Sequence, residues 1–207
     1  MAQANERKTD KRSLITEAAV EVFAEKGFHL ARVSDIARRA GVADGTIYLY
    51  FKNKEDLLLS IFEEKMEQML DEVAVALDGI DDPMERVRRF AQFHFSRVRD
   101  NRSVAEVLQL ELRLSNKFMR DYRPEKLWAY LNVFGQIVRD GQAAGIFRRD
   151  IDSFISMWSF FGAMDELSMQ WVLSRKQDRF SIDEAARQVA EIYIRGMVHL
   201  DDPPPSS

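Results

Sequence analysis

The chain of 207 residues contains no cysteine, only three histidines, and no apolar run that approaches the length of a membrane span. The first absence excludes a disulfide framework, thiol nucleophiles and thiolate metal sites. His29, His94 and His199 lie far apart, and no HExxH pattern, P-loop or dinucleotide-binding glycine fingerprint occurs. Carboxylates are plentiful, but none stands in a recognisable acid/base pairing. No enzyme activity, metal or cofactor is therefore expected. Proline is scarce, with five residues, three of them in the tail DDPPPSS. The opening MAQANERKTDKR leads into no signal-peptide core, so a cytoplasmic location is expected.

What the chain has is helical periodicity throughout, with 46% hydrophobic and 31% charged residues. The pattern predicts an all-α fold of about nine helices in a small N-terminal and a larger C-terminal part; the family resemblance carried by about Leu14 to Phe62 implies that the first is a three-helix DNA-binding domain carrying a helix-turn-helix and the second a helical domain for ligand binding and dimerisation. Residues 1–8 are expected to be a disordered tail, 9–56 the DNA-binding domain, 57–200 the effector and dimerisation domain, and 201–207 a second disordered tail. Thr9 or Asp10 can cap the first helix, whose stripe is Leu14, Ile15, Ala18, Val22 and Phe23. Asp82-Pro83, with Glu85 three residues after the cap, starts a later helix.

The organising stretch runs from Ser34 to Leu57. Ser34 can cap a helix with Ile36, Ala37 and Ala40 inward, and Gly41 suits the left-handed turn that ends it. A second helix, about Asp44 to Phe51, is too short to be stable alone and must be packed on a scaffold. Stepping 100° per residue puts Ile47 and Phe51 inward. Gly45, Thr46, Tyr48 and Leu49 then point outward, with Tyr50 nearer the inner edge. Hydroxyls on such a face can bond phosphates or base edges in a major groove. Lys52 and Lys54 add positive charge, and the N-terminus of the following helix with Lys54 reads as a phosphate clamp. An ordinary helical hairpin whose aromatics pack on another subunit explains the same pattern.

Net charge is −4, but residues 1–56 hold ten Lys/Arg against nine Asp/Glu, while the remainder holds twenty against twenty-five. A small basic face on an acidic body favours one defined docking mode on double-stranded DNA.

The framework AA..VFAEKGF, DIARRAGV, GTIY.YF and K.EDLL, over about Leu14 to Phe62, resembles the DNA-binding domain of TetR-family transcriptional regulators. The resemblance implies a homodimer that presents two Asp44–Phe51 helices to successive major grooves of a palindromic operator, about 34 Å apart or a multiple of it. The chain departs from the family at Ala31-Arg32, where threonines are frequent, at Ala43-Asp44, where Ser-Lys is frequent, and at Leu49, where His is common. These departures bear on which bases are read.

Two later helices, 152–173 and 182–200, would expose too much apolar surface in a monomer, and pairing with a twofold copy in a four-helix bundle covers it. The stretches LELRLSNKFMRDYRPEKLWAYLNVFGQIVRDGQAAGIFRRDID and FFGAMDELSMQWVLS resemble the family's acyl-CoA-sensing regulators of fatty-acid metabolism. This implies a repressor of fatty-acid degradation genes released by a long-chain acyl-CoA; a TetR-family repressor sensing a different hydrophobic ligand, such as a drug, a fatty acid or another lipid, is the alternative.

A long acyl chain needs apolar walls, which Phe90, Phe93, Leu108 and Leu112 can supply together with Trp128, Leu131 and Phe134. Phe160, Phe161, Met164 and Trp171 complete the set, and all eleven serve equally well as ordinary core. Arg113, Lys117, Arg120, Arg123 and Lys126 can bind the CoA phosphates or simply form a solvated face. Asp165 and Glu166, the only charges between Phe154 and Leu173, can bond across a dimer or face a polar ligand group.

Overall fold

The computed structural model describes residues 2–111, 123–174 and 180–199. Among them are nine α-helices and no strand: α1 (Ala2–Lys26), α2 (Val33–Ala40), α3 (Asp44–Ile47), α4 (Lys54–Leu77), α5 (Pro83–Asp100), α6 (Arg102–Glu106), α7 (Glu125–Ala143), α8 (Ser153–Leu173) and α9 (Ile182–Met197). A π-helical turn, Val107–Glu111, continues α6. No described helix is long and apolar enough to cross a membrane.

The first compact unit holds α1, α2, α3, α4 as far as Gln68, and α6 with its π turn. The second holds α4 from Met69, α5 through Arg99, α7, α8 and α9. This differs from an expected boundary after residue 56. Helix α4 contributes to both units, and α6 with the π turn packs on α1, a non-local pairing that no local pattern announces.

In the first unit the core is Ile15, Ala19, Val22 and Phe23 of α1 against Ile36 and Ala37 of α2, closed by Ile47, Phe51, Leu57 and Leu58. Leu14, expected in the α1 stripe, lies off its edge and is half exposed. Helix α1 starts at Ala2, so the expected tail over residues 1–8 is corrected: no glycine or proline interrupts the segment, and Ala, Gln, Glu, Arg and Lys all favour helix.

In the second unit α7 packs on α8 and α8 on α9. Local caps set the entries. Asp82 Oδ1 accepts from Met84 N at 3.0 Å ahead of α5. Asp152 Oδ1 accepts from Phe154 N and Ile155 N at 2.8 and 2.9 Å ahead of α8, while Ser181 Oγ accepts from Glu184 N ahead of α9. The expected last helix is corrected at its end. It stops at Met197, where an isolated antiparallel bridge joins Val198 to Phe147 and Arg148 N donates to Met197 O at 2.8 Å.

Candidate DNA-binding surface and effector region

Helix α2 begins two residues earlier than a Ser34 cap implies. Its N-cap is Arg32, whose N–H donates to the Asp35 carboxylate at 3.3 Å, and Ser34 lies inside the first turn, half buried. Acidic Asp35 suits this end of the helix and also pairs with Lys26 at 3.0 Å; the Lys26 hydrogen bond is the main cause holding its pKa below the ordinary value. Gly41 ends the helix with φ 68°, and Val42 N donates back to Ala37 O at 3.0 Å. Arg39 faces back into the unit, its guanidinium bonded to Glu21 at 2.6 Å and Glu25 at 2.7 Å. Arg38 remains the outward cation of the pair, with Asp35 at 3.7 Å.

Helix α3 is shorter than the expected Asp44–Phe51. After Ile47 the bonds tighten, Leu49 N to Thr46 O at 3.1 Å and Tyr50 N to Ile47 O at 3.0 Å, before Phe51 N returns to Ile47 O at 3.0 Å. The three-residue bonds wind the segment more tightly than an α-helix. Its facing survives: Ile47 and Phe51 are buried, while Tyr48 is 58% and Leu49 78% exposed. Asp44, Gly45 and Lys52 are exposed, and Thr46 and Tyr50 are half buried. A Cβ added at Gly45 would meet nothing within 4 Å, so the unit itself does not require glycine there. Arg12 lies 4.7 Å over the Phe51 ring and bonds Glu64 at 2.9 Å, fastening α1 to the end of this segment and to α4.

Lys54, expected to clamp a phosphate, is bonded within the unit as an internal staple. Its ammonium donates to Phe28 O at 2.6 Å, Ala31 O at 3.0 Å and His29 O at 3.3 Å, and sits 4.5 Å over the Phe28 ring. The loop between α1 and α2 turns its carbonyls away from helical partners, and an ammonium with three donors satisfies them. The start of α4 is also closed locally: Asn53 Oδ1 accepts from Asp56 N at 2.8 Å, and Asp56 Oδ2 accepts from Lys52 N at 2.9 Å. With Glu55 and Asp56 in its first turn, this helix end opposes rather than attracts a phosphate.

Ser34, Asp44, Tyr48 and Lys54, scattered in sequence, line one open cleft of about 590 Å³ together with Arg32, Asn53 and Glu55. The sequence reading counts Arg32 both in the local positive charge and as a departure from the family pattern, and gives Asn53 and Glu55 no role at this surface.

The expected effector residues divide by position. Phe90, Phe93, Leu131, Phe134, Phe160, Met164 and Trp171 are buried. Phe134 stacks on Phe160 at 4.0 Å between ring centroids, with Phe90 at 5.8 and 6.2 Å from the two, so these rings pack on one another as core. Phe161 is half buried and Trp128 is 43% exposed. Leu108 lies in the π turn, which belongs to the first unit. Leu112, Arg113, Lys117 and Arg120 lie outside the described residues; Arg123 is exposed and Lys126 half buried at the start of α7.

The sequence reading gave His94 no function, placing it among the buried or half-buried positions of its helix. It is buried in α5, its Nδ1 3.1 Å from the Tyr130 hydroxyl. Desolvation pushes its pKa down to about 4, opposed by the charge of Asp165, so the ring is neutral near pH 7.

A helix-turn-helix with an exposed Tyr48 and Leu49, on a helical chain whose second unit is rich in aromatic residues, fits the class of DNA-binding regulators. Residues 15–61 match the family of bacterial regulatory proteins named tetR, and residues 62–196 match the C-terminal region of YsiA-like proteins. The chain is 38% identical over 191 residues to the fatty acid metabolism regulator protein of Bacillus subtilis (strain 168), covering 92% of this chain and 97% of that one. It superposes on the fatty acid degradation regulator FadR of Bacillus halodurans with TM-score 0.83 at 38% identity, over 90% of this chain and 95% of the other. FadR of Bacillus subtilis in complex with stearoyl-CoA gives TM-score 0.82 at 38% identity, over 90% and 99%. The protein belongs to the TetR family of transcriptional regulators and is not an enzyme.

Proposed function

We propose that this chain is a dimeric repressor of fatty-acid degradation genes, acting in the cytoplasm and released from its operator by a long-chain acyl-CoA. The observation that carries the reading is similarity along nearly the whole chain, effector unit included, to a fatty acid metabolism regulator and to a FadR bound to stearoyl-CoA.

The DNA-facing side chains are those that α3 and its tight extension leave exposed. Tyr48 can bond a phosphate or a base edge, Leu49 can touch a thymine methyl, and Asp44 can accept from a cytosine amino group. Ser34 and Thr46 offer hydroxyls, Lys52 a free-standing charge on the exposed rim, and Gly45 an open backbone where DNA rather than protein would crowd a side chain. Tyr50, half buried, supports the face. Lys54 acts by holding the loop beneath it.

Dimerisation is assigned to α8 and α9. Ile155, Gly162 and Leu173 mark one line along α8, Ile192 and Gly196 another on α9, all exposed. Nothing lies within 4 Å of a Cβ built at Gly162 or Gly196, which leaves room for a second helix to approach closely. The acyl chain is taken up by the second unit, and Arg113, Lys117, Arg120, Arg123 and Lys126 are the cations offered to the CoA phosphates. Release requires only that acyl-CoA bind the DNA-incompetent arrangement more tightly than the competent one. Native mass spectrometry of the protein mixed with stearoyl-CoA tests the reading: one acyl-CoA mass per chain on a dimer is expected. A monomer, or a dimer that takes up no acyl-CoA, contradicts it.

A further inference from the structure

His94 has 6% exposure, and its Nε2, fully buried, has no hydrogen-bond partner among the described residues. Among the described residues its other nitrogen meets the Tyr130 hydroxyl, for which no further partner is found there. A neutral imidazole carries one N–H and one lone pair. If Nδ1 held the proton and donated to Tyr130, the phenol hydrogen and the Nε2 lone pair would both be left unmatched. If Tyr130 donates to Nδ1, only the Nε2–H is unmatched. The second arrangement leaves fewer buried polar groups unpaired, so Nε2–H is a buried donor that no described residue accepts.

The surroundings narrow what that is. His94 meets the Phe161 ring edge-on at 6.4 Å; Phe161 meets Trp158 at 6.2 Å, and Trp158 meets Trp128 at 5.2 Å. These three ring contacts run from the buried imidazole to an exposed edge, since Trp128 lies at the surface on the first turns of α7, just after Arg123 and Lys126. An apolar wall with a buried donor at its inner end suits a neutral acceptor group on a ligand. Asp165, one turn beyond Phe161 on α8, carries a charge that His94 senses, and it opposes a second carboxylate there.

We propose that the His94 Nε2–H receives the thioester carbonyl of the acyl-CoA, with Tyr130 holding the imidazole in the donating tautomer. The inference rests on the acyl-CoA reading above, and it makes the thioester itself, not chain length alone, the group that is recognised.

The test compares stearoyl-CoA with its thioether analogue S-octadecyl-CoA, which lacks only the carbonyl oxygen, by calorimetric titration into wild type and His94→Phe. Wild type is expected to favour the thioester about ten-fold or more, and His94→Phe to bind both ligands alike. Comparing ligands within each protein cancels any general weakening by the substitution. Because His94→Phe can fail to fold, proton–nitrogen NMR of the wild-type imidazole gives an independent reading: the His94 Nε2–H resonance moves downfield with the thioester and not with the thioether. Equal binding of the two ligands by wild type, a preference retained in His94→Phe, or a resonance that the thioester leaves unmoved overturns the proposal. If neither ligand binds wild type, the acyl-CoA reading itself fails and this one with it.

Discussion

Lys54 and Tyr48 face the same cleft yet do different work, and single substitutions separate them. Removing the Lys54 ammonium leaves the Phe28, His29 and Ala31 carbonyls without that donor. Lys54→Ala should therefore destabilise the protein by roughly 1–3 kcal/mol, seen as a lower midpoint in thermal unfolding, and should lose operator affinity through that unit. Tyr48→Ala should lose affinity at an unchanged midpoint. A Lys54→Ala protein as stable as wild type would return Lys54 to the role of phosphate ligand. His94 gives a pH signature of its own. Unfolded, it titrates near the ordinary histidine value of about 6.5; folded, at about 4. Between those values the unfolded chain binds the extra proton, so this residue's contribution is complete above about pH 6.5 and falls as pH drops toward 4, by on the order of 3 kcal/mol in all. Urea unfolding at pH 7 and pH 5 should show a larger loss for wild type than for His94→Phe; equal losses would mean the ring is not desolvated.

At the scale of elements, what was legible in the sequence followed from local chemistry. Asp82-Pro83, Asp152 and Gly41 mark helix ends because caps and left-handed turns are decided within a few residues, and Ile47 and Phe51 could be turned inward by periodicity alone. The part that escaped depends on partners distant in sequence. Ser34 lost the cap to Arg32, whose N–H meets Asp35, and α3 tightened after Ile47 because Phe51 must reach the core under Arg12. Nothing in a stretch of KNKED reveals that its second lysine reaches carbonyls more than twenty residues away. Helix α7 supplies a sharper case. Gly141, an unremarkable glycine within a helix, is crossed by the buried Phe147 ring, and a Cβ there would lie 2.1 Å from Cδ2. Gly141→Ala should cost about 1–3 kcal/mol despite the better helix propensity of alanine, read as a lower denaturant midpoint. Gly162→Ala, with open space around it, should leave the folded protomer unharmed.

For the whole molecule, the proposed function depends on two copies. Ile192 is 66% exposed on α9, and a charge placed there would be harmless in a monomer and buried in the proposed interface. Ile192→Glu should shift the mass in analytical ultracentrifugation from dimer to monomer and abolish operator binding, while leaving helix content intact. A dimeric Ile192→Glu would place the interface elsewhere. The central claim is that acyl-CoA and operator DNA exclude one another. The direct measurement is fluorescence anisotropy of the protein on a labelled duplex that it has itself selected from a random pool, with stearoyl-CoA or free CoA titrated in. Stearoyl-CoA should lower the anisotropy to that of free duplex and CoA should leave it unchanged. A complex that survives stearoyl-CoA, or that responds to both alike, would contradict the account.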